Sequence, residues 1–249
     1  MIYVTANRID RIGMNIYYRL MTLDFCSKNK STHTYIHTPL PEPFEGLFNM
    51  GLGYKKIDEV YNQIKVVRPP FLGCLQKIKN FPKFSNEFRE YMIGKYNPNS
   101  LKHTDKNKIR ICIHIRRGDV DKGQPTIAKL ERRVSDDFLE KVLYKINKFI
   151  RKPVSVNIHS DSVIDMEKFE TYDLEINTKF DDTSEQAMQD MISCDILFRA
   201  GISAFSGVCA FYNTNLVISE MSANFKGLYV MDNVCGIEQC DERLKILSN

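Results

Sequence analysis

Residues Ile109 to Gly123 read IRICIHIRRGDVDKG, and the apolar run ends in two adjacent arginines, Arg116 and Arg117, followed by Asp119 and Asp121. Guanidinium groups stay charged at physiological pH, and their forked donors match phosphate oxygens. A second stretch suited to anions is GISAFS, Gly201 to Ser206. There a helix N-terminus would present unpaired backbone N–H groups beside the hydroxyls of Ser203 and Ser206. The two stretches together can hold a pyrophosphate without a metal.

Plainer readings exist for each of these residues. Adjacent arginines at a strand end are commonly solvated or paired with acids. Alternation along a strand sends Arg116 and Arg117 to opposite faces, so one can brace the other, and His114 lies on the Arg116 side. Asp119 and Asp121 form a pair that can hold a divalent cation on a sugar-nucleotide diphosphate. The Arg-Gly-Asp tripeptide at Arg117–Asp119 continues a buried strand, which argues against an exposed adhesion loop.

The elements that must position these residues alternate. Ile2–Thr5 reads as a strand, followed by a loop ending near Gly13 and a helix over Asn15–Lys28 with Asn15 as its N-cap. Thr32–His37 reads as a second strand, and Phe84–Tyr96 as a helix. Between them, Pro39 to Pro82 is broken by prolines, and Asn97–Ser100 with Lys102–Lys108 forms a polar joint. Beyond the joint, strands are expected at Ile109–Ile115, Val154–His159, Asp173–Asn177, Asp195–Ala200 and Leu216–Ser219. Helices are expected at Ser135–Arg151, Ile164–Glu170, Ser184–Cys194, Ser203–Tyr212 and Ile237–Ser248. Continuous apolar strands alternating with helices imply an α/β fold, with a parallel sheet covered on both faces. In such sheets ligands bind beyond the carboxyl ends of the strands. Arg116, Arg117 and Asp119, then Ser160 and Asp161, then Gly201, Ser203 and Ser206, each follow a strand.

Composition bounds the possibilities. The 249 residues are 43% hydrophobic and 27% charged, with a formal net charge of +4. Such a balance suits a globular protein and is too weakly basic to argue for nucleic acid. The seven cysteines include no Cys-x-x-Cys pair, which argues against a zinc or disulfide framework and for reduced thiols. With neither a signal core nor a long apolar run, the chain is expected to have no transmembrane segment and to be cytoplasmic, from a bacterial or viral source.

HIRRGD, His114 to Asp119, resembles the His-x-Arg-Arg-x-Asp signature of fucosyltransferases of the α1,2 and α1,6 type. RIGMNIYYRL (Arg11–Leu20), HSDS (His159–Ser162) and CDILFRAGISAFSGVCAFY (Cys194–Tyr212) are similar, in the same order, to further segments of that family. The chain departs from the pattern in having one glycine in the first loop, no tryptophan, and Gln124 near the place of a glutamate in the α1,6 enzymes.

The resemblance implies two Rossmann-like parallel-sheet domains facing a cleft, GT-B-like and reduced in size. Residues 1–104 would form the N-terminal acceptor side and residues 105–249 the nucleotide-sugar donor side. It further implies an inverting, metal-independent glycosyltransferase that moves fucose from GDP-fucose to a glycan hydroxyl, with no cofactor beyond that donor. Arg117, with Arg116 beside it, would bind the diphosphate. His114 and Asp195 would lie near the guanosine, with Asp161 supporting the nucleotide. Ser203, Phe205 and Ser206 would contact the donor from the last turn, and Gly13 and Asn15 would let the first loop approach it. Arg117 and Asp119 are the catalytic candidates, Asp119 as base and Asp121 as second choice. The alternatives are a glycosyltransferase using another nucleotide sugar, with a metal at Asp119 and Asp121, and a non-catalytic module that binds a nucleotide sugar or glycan.

Overall fold

The computed structural model describes residues 2–5, 11–59, 66–67, 84–98, 107–117, 134–169, 172–180, 182–200, 203–220 and 231–248. The chain divides into two compact units, Met1–Ser100 and Leu101–Asn249. Among the described residues no helix is long and apolar enough to cross a membrane.

The first unit holds a three-stranded parallel sheet of β1 (Ile2–Val4), β2 (His33–Tyr35) and β3 (Val66–Val67), in the order β2-β1-β3. Helix α1 (Ile12–Lys28) starts earlier than its sequence suggests, with Arg11 at the N-cap. Gly13 and Asn15 therefore lie inside its first turn, and Asn15 is not the cap: its N–H donates to the Arg11 carbonyl at 3.1 Å. Buried Arg19 donates to the carbonyls of Thr38, Pro39 and Asn15, which pins the proline segment to α1. That segment carries a short helix the prolines had hidden, α2 (Phe44–Phe48), and α3 (Asn86–Lys95) follows with Ser85 capping Phe88 N–H. His37, fully buried, lies 2.9 Å from Glu45 and 3.1 Å from the Tyr35 hydroxyl. Only glycine fits at Gly51, because a Cβ there would stand 2.4 Å from the His37 ring.

The second unit is a six-stranded sheet with all strands parallel. It contains β4 (Ile109–Ile115), β5 (Val154–Ser160), β6 (Glu175–Lys179), β7 (Ile196–Arg199), β8 (Leu216–Ser219) and β9 (Val234–Gly236), in the order β6-β5-β4-β7-β8-β9. Helices α4 (Asp136–Phe149), α5 (Ser184–Ser193), α6 (Ala204–Tyr212) and α7 (Asp241–Ser248) complete it. Local chemistry sets the helix starts. Ser135 Oγ accepts from Phe138 N–H, Asp136 and Asp137 occupy the first turn of α4, and Thr183 with Gln186 forms a reciprocal capping box on α5. Around Ile164–Glu170, the described helical part is a single 3-10 turn at Glu167–Phe169.

Alternation along the strands divides the sheet into two unlike faces. Ile111, Ile113, Ile115, Val156, Ile158, Ile196, Phe198 and Ile218 join an apolar core with Phe138, Leu139, Val142 and Leu143 of α4 and Leu244 of α7. At roughly 25 cal/mol per Å² of apolar surface buried, such a face is the main stabiliser of the unit. The opposite face carries Cys112, His114, Asn157, His159, Arg199 and Ser219, an unusually polar set for the inside of an α/β domain.

Candidate functional site at the strand-order switch

From the central strand β4 the chain winds outward through β5 and β6, then returns to β4's other side for β7, β8 and β9. The carboxyl ends of β4 and β7 therefore flank the point where the strand order reverses, the place where open parallel sheets bind ligands. His114 pairs in register with His159 on one side and Arg199 on the other, and Arg199 pairs with Ser219. One row across four strands thus reads His159, His114, Arg199, Ser219, all on the face away from the apolar core.

Arg199 is 1% exposed. Its guanidinium donates to Ser219 Oγ at 3.3 Å and to the Ser203 carbonyl at 3.4 Å. Ser203 is the N-cap of α6, and its side chain makes no capping bond, so the buried cation stands directly under a helix N-terminus. Ser206, in the first turn of α6, is fully buried, and its hydroxyl has no hydrogen-bond partner among the described residues. A buried hydroxyl without a partner costs free energy in the folded protein, which singles this one out.

His114 shows the same signature. The ring is buried, Nδ1 has no partner, and the Phe205 ring lies 5.8 Å away at a tilt of 33°. Burial, first of all, and then the electrostatic influence of His159, Arg199 and Arg116 push its pKa down to about 3, against a raising effect from Asp161. His114 is therefore neutral near pH 7 and offers one donor and one acceptor.

The two arginines after β4 do different things. Arg116, on the His114 side, is half-buried and contributes to the positive field there. Arg117 turns to the apolar-core side and forms an ion pair with Asp136 in the first turn of α4, holding that carboxyl below its usual range. Its backbone N–H donates to Asp161 at 2.8 Å, and its Nε is buried without a partner.

The remaining candidates separate. Asp195 precedes β7 instead of following it, so it sits at the amino ends of the strands. It accepts from the Arg110 N–H at 2.8 Å and pairs with the Arg110 side chain at 3.5 Å. The expectation that Asp195 and His114 share a ligand is thereby corrected: they occupy opposite ends of the sheet. Gly13 and Asn15 belong to the first unit. Asp119, Asp121, Gln124 and Gly201 lie outside the described residues. Arg199 was missed by sequence reasoning, because an arginine closing an apolar strand gives no signal of its own until the register is known.

The fold is shared with fucosyltransferases of known structure. The chain aligns with POFUT1 in complex with GDP-fucose at a TM-score of 0.55 and 14% identity, covering 86% of this chain and 94% of that one. It aligns with the NodZ alpha-1,6-fucosyltransferase co-crystallized with GDP at a TM-score of 0.50 and 14% identity, covering 83% and 91%. No protein-family model and no curated protein matches the sequence. At this identity the likeness carries the architecture, and the chemistry has to be argued from the side chains.

Proposed function

We propose that the protein is an inverting, metal-independent glycosyltransferase that moves fucose from GDP-fucose to a glycan hydroxyl. The observation that carries this reading is the convergence at the strand-order switch of a buried cation, a helix N-terminus and two buried polar atoms without partners, His114 Nδ1 and Ser206 Oγ. The structural neighbours bear on the same point, since POFUT1 binds GDP-fucose and NodZ binds GDP.

In the proposed mechanism the diphosphate lies across the first turn of α6. The Ser206 hydroxyl and the unpaired N–H groups of that turn donate to its oxygens. Arg116 and the buried Arg199 supply fixed positive charge. As the glycosidic bond breaks, the sugar acquires oxocarbenium character and negative charge accumulates on the β-phosphate. Donors already in place stabilise that charge without reorganising, and losing one of them costs on the order of 10²-fold in rate. Arg117, the sequence's first candidate for this task, is reassigned mainly to bracing the β4 end against Asp136, with the buried Nε among its remaining donors. His114 and Phe205 would border the nucleoside. Asp119 remains the proposed base, taking the proton from the acceptor hydroxyl.

The test is a thermal-shift panel of GDP, GDP-fucose, GDP-mannose, UDP-glucose and dTDP-rhamnose. GDP and GDP-fucose should raise the melting point, the free energy reaching about 2.7 kcal/mol at a hundred times Kd. A shift with the uridine or thymidine nucleotides alone would reject the donor assignment.

A further inference from the structure

The polar face of the sheet holds a second cluster, which shares His159 with the row described above. Cys112 of β4, His159 of β5 and Asp190 of α5 bring one sulfur, one ring nitrogen and one carboxylate oxygen within 4.8 Å of one another. Cys112 is 1% and His159 2% exposed. Cys194 follows Asp190 by one helical turn, its N–H donating to the Asp190 carbonyl at 3.0 Å and its thiol to the Met191 carbonyl at 3.3 Å.

We propose that Cys112, His159 and Asp190 form a zinc site that ties α5 to the centre of the sheet. Soft sulfur with a ring nitrogen and one carboxylate oxygen is a donor set that zinc takes. The Cys112 thiolate and the Asp190 carboxylate bring the two negative charges that a buried divalent ion requires. Zinc–ligand bonds of about 2.0–2.3 Å put neighbouring donor atoms about 3.5 Å apart. His159 Nε2 and Asp190 Oδ2, now 2.8 Å apart around a shared proton, would separate by under about 1 Å as the ion replaces that proton. The proton between His159 and Asp190 and that of the Cys112 thiol pass to solvent.

The surroundings match as well. Metal-bound histidines present their other ring nitrogen to a carboxylate, and metal-bound carboxylates accept outer hydrogen bonds. His159 Nδ1 is buried without a hydrogen-bond partner, and Asp182 Oδ2 lies 3.7 Å from it. Asn157 Nδ2 donates to Asp190 Oδ2 at 2.8 Å. The absence of a Cys-x-x-Cys pair does not weigh against this site, because its donors come from two strands and a helix. The site goes beyond the glycosyl-transfer reading, and its test needs no nucleotide.

The test uses the full chain, tag-free, reduced and stripped with a chelator, titrated with Co²⁺ and then Zn²⁺ in the absence of nucleotide. The expected result is a thiolate-to-cobalt charge-transfer band with intense visible bands of a tetrahedral ion, saturating at one equivalent and abolished by zinc. Zinc should also raise the melting point, and chelator should reverse the rise. Asp190→Asn and Cys112→Ser should each weaken cobalt binding by at least about tenfold. The proposal is overturned if the wild-type chain shows neither the band nor the stabilisation, or if Cys112→Ser binds cobalt as tightly as the wild type. The wild-type measurements decide the matter even if a variant fails to fold.

Discussion

His114 and Arg199 are register partners across the β4–β7 seam, a neutral imidazole beside a fully buried guanidinium. Strand order places that pair where a parallel sheet opens to ligands, and burial first, with the neighbouring positive charge adding to it, keeps the imidazole from taking a proton. The folded pKa of about 3 lies below the ordinary value of 6.5. The stability this contributes is therefore present above pH 6.5 and is lost as pH falls, because only the unfolded chain takes up the proton. Between about pH 6 and 4 wild-type stability should fall relative to His114→Gln by about 1.4 kcal/mol per pH unit. Urea unfolding at several pH values measures this; parallel profiles would contradict it.

Arg116 and Arg117 should separate by readout. Arg116→Ala should weaken GDP binding by about 10–100-fold, the worth of one charge-assisted hydrogen bond, with little change in melting point. Arg117→Ala removes one of two cationic partners of Asp136, which is 42% exposed and keeps Lys168, so it should cost only about 1 kcal/mol of stability. Its effect on GDP affinity should be the smaller of the two. Calorimetric titration of both variants checks the order.

Ser206 distinguishes a ligand contact from a structural one. Its hydroxyl is buried without a partner, so Ser206→Ala should leave the melting point unchanged or raise it. The same variant should lose about tenfold in GDP affinity. A variant that is destabilised and binds normally would show that the hydroxyl serves the fold.

In the first unit, Gly51→Ala should destabilise by about 1–3 kcal/mol, because the added methyl meets a buried ring that has no room to retreat. Limited proteolysis at increasing urea would report this loss locally. His37→Ala should offset part of the cost in the double variant, which a mutant cycle measures.

Strong local signals made much of the second unit legible. The Ile109–Ile115 strand and the Ser135-capped helix over Asp136–Phe149 lie where apolar periodicity and capping chemistry put them. Short elements were not legible: β9 is three residues long and exists through its pairing with β8, and α2 lies in a proline-broken stretch. Within the candidate site, Asp195 opens its strand and so lies at the other end of the sheet from His114, and Arg199 was overlooked because its meaning depends on its register neighbours.

The central claim is that a nucleotide diphosphate is held over the carboxyl ends of β4 and β7. A crystal structure of the protein soaked with GDP tests it most directly. The account predicts phosphate oxygens within hydrogen-bonding distance of Ser206 Oγ and of the Arg116 guanidinium, at the N-terminus of α6. GDP bound elsewhere on the chain, with Ser206 Oγ and His114 Nδ1 still lacking partners, would contradict it.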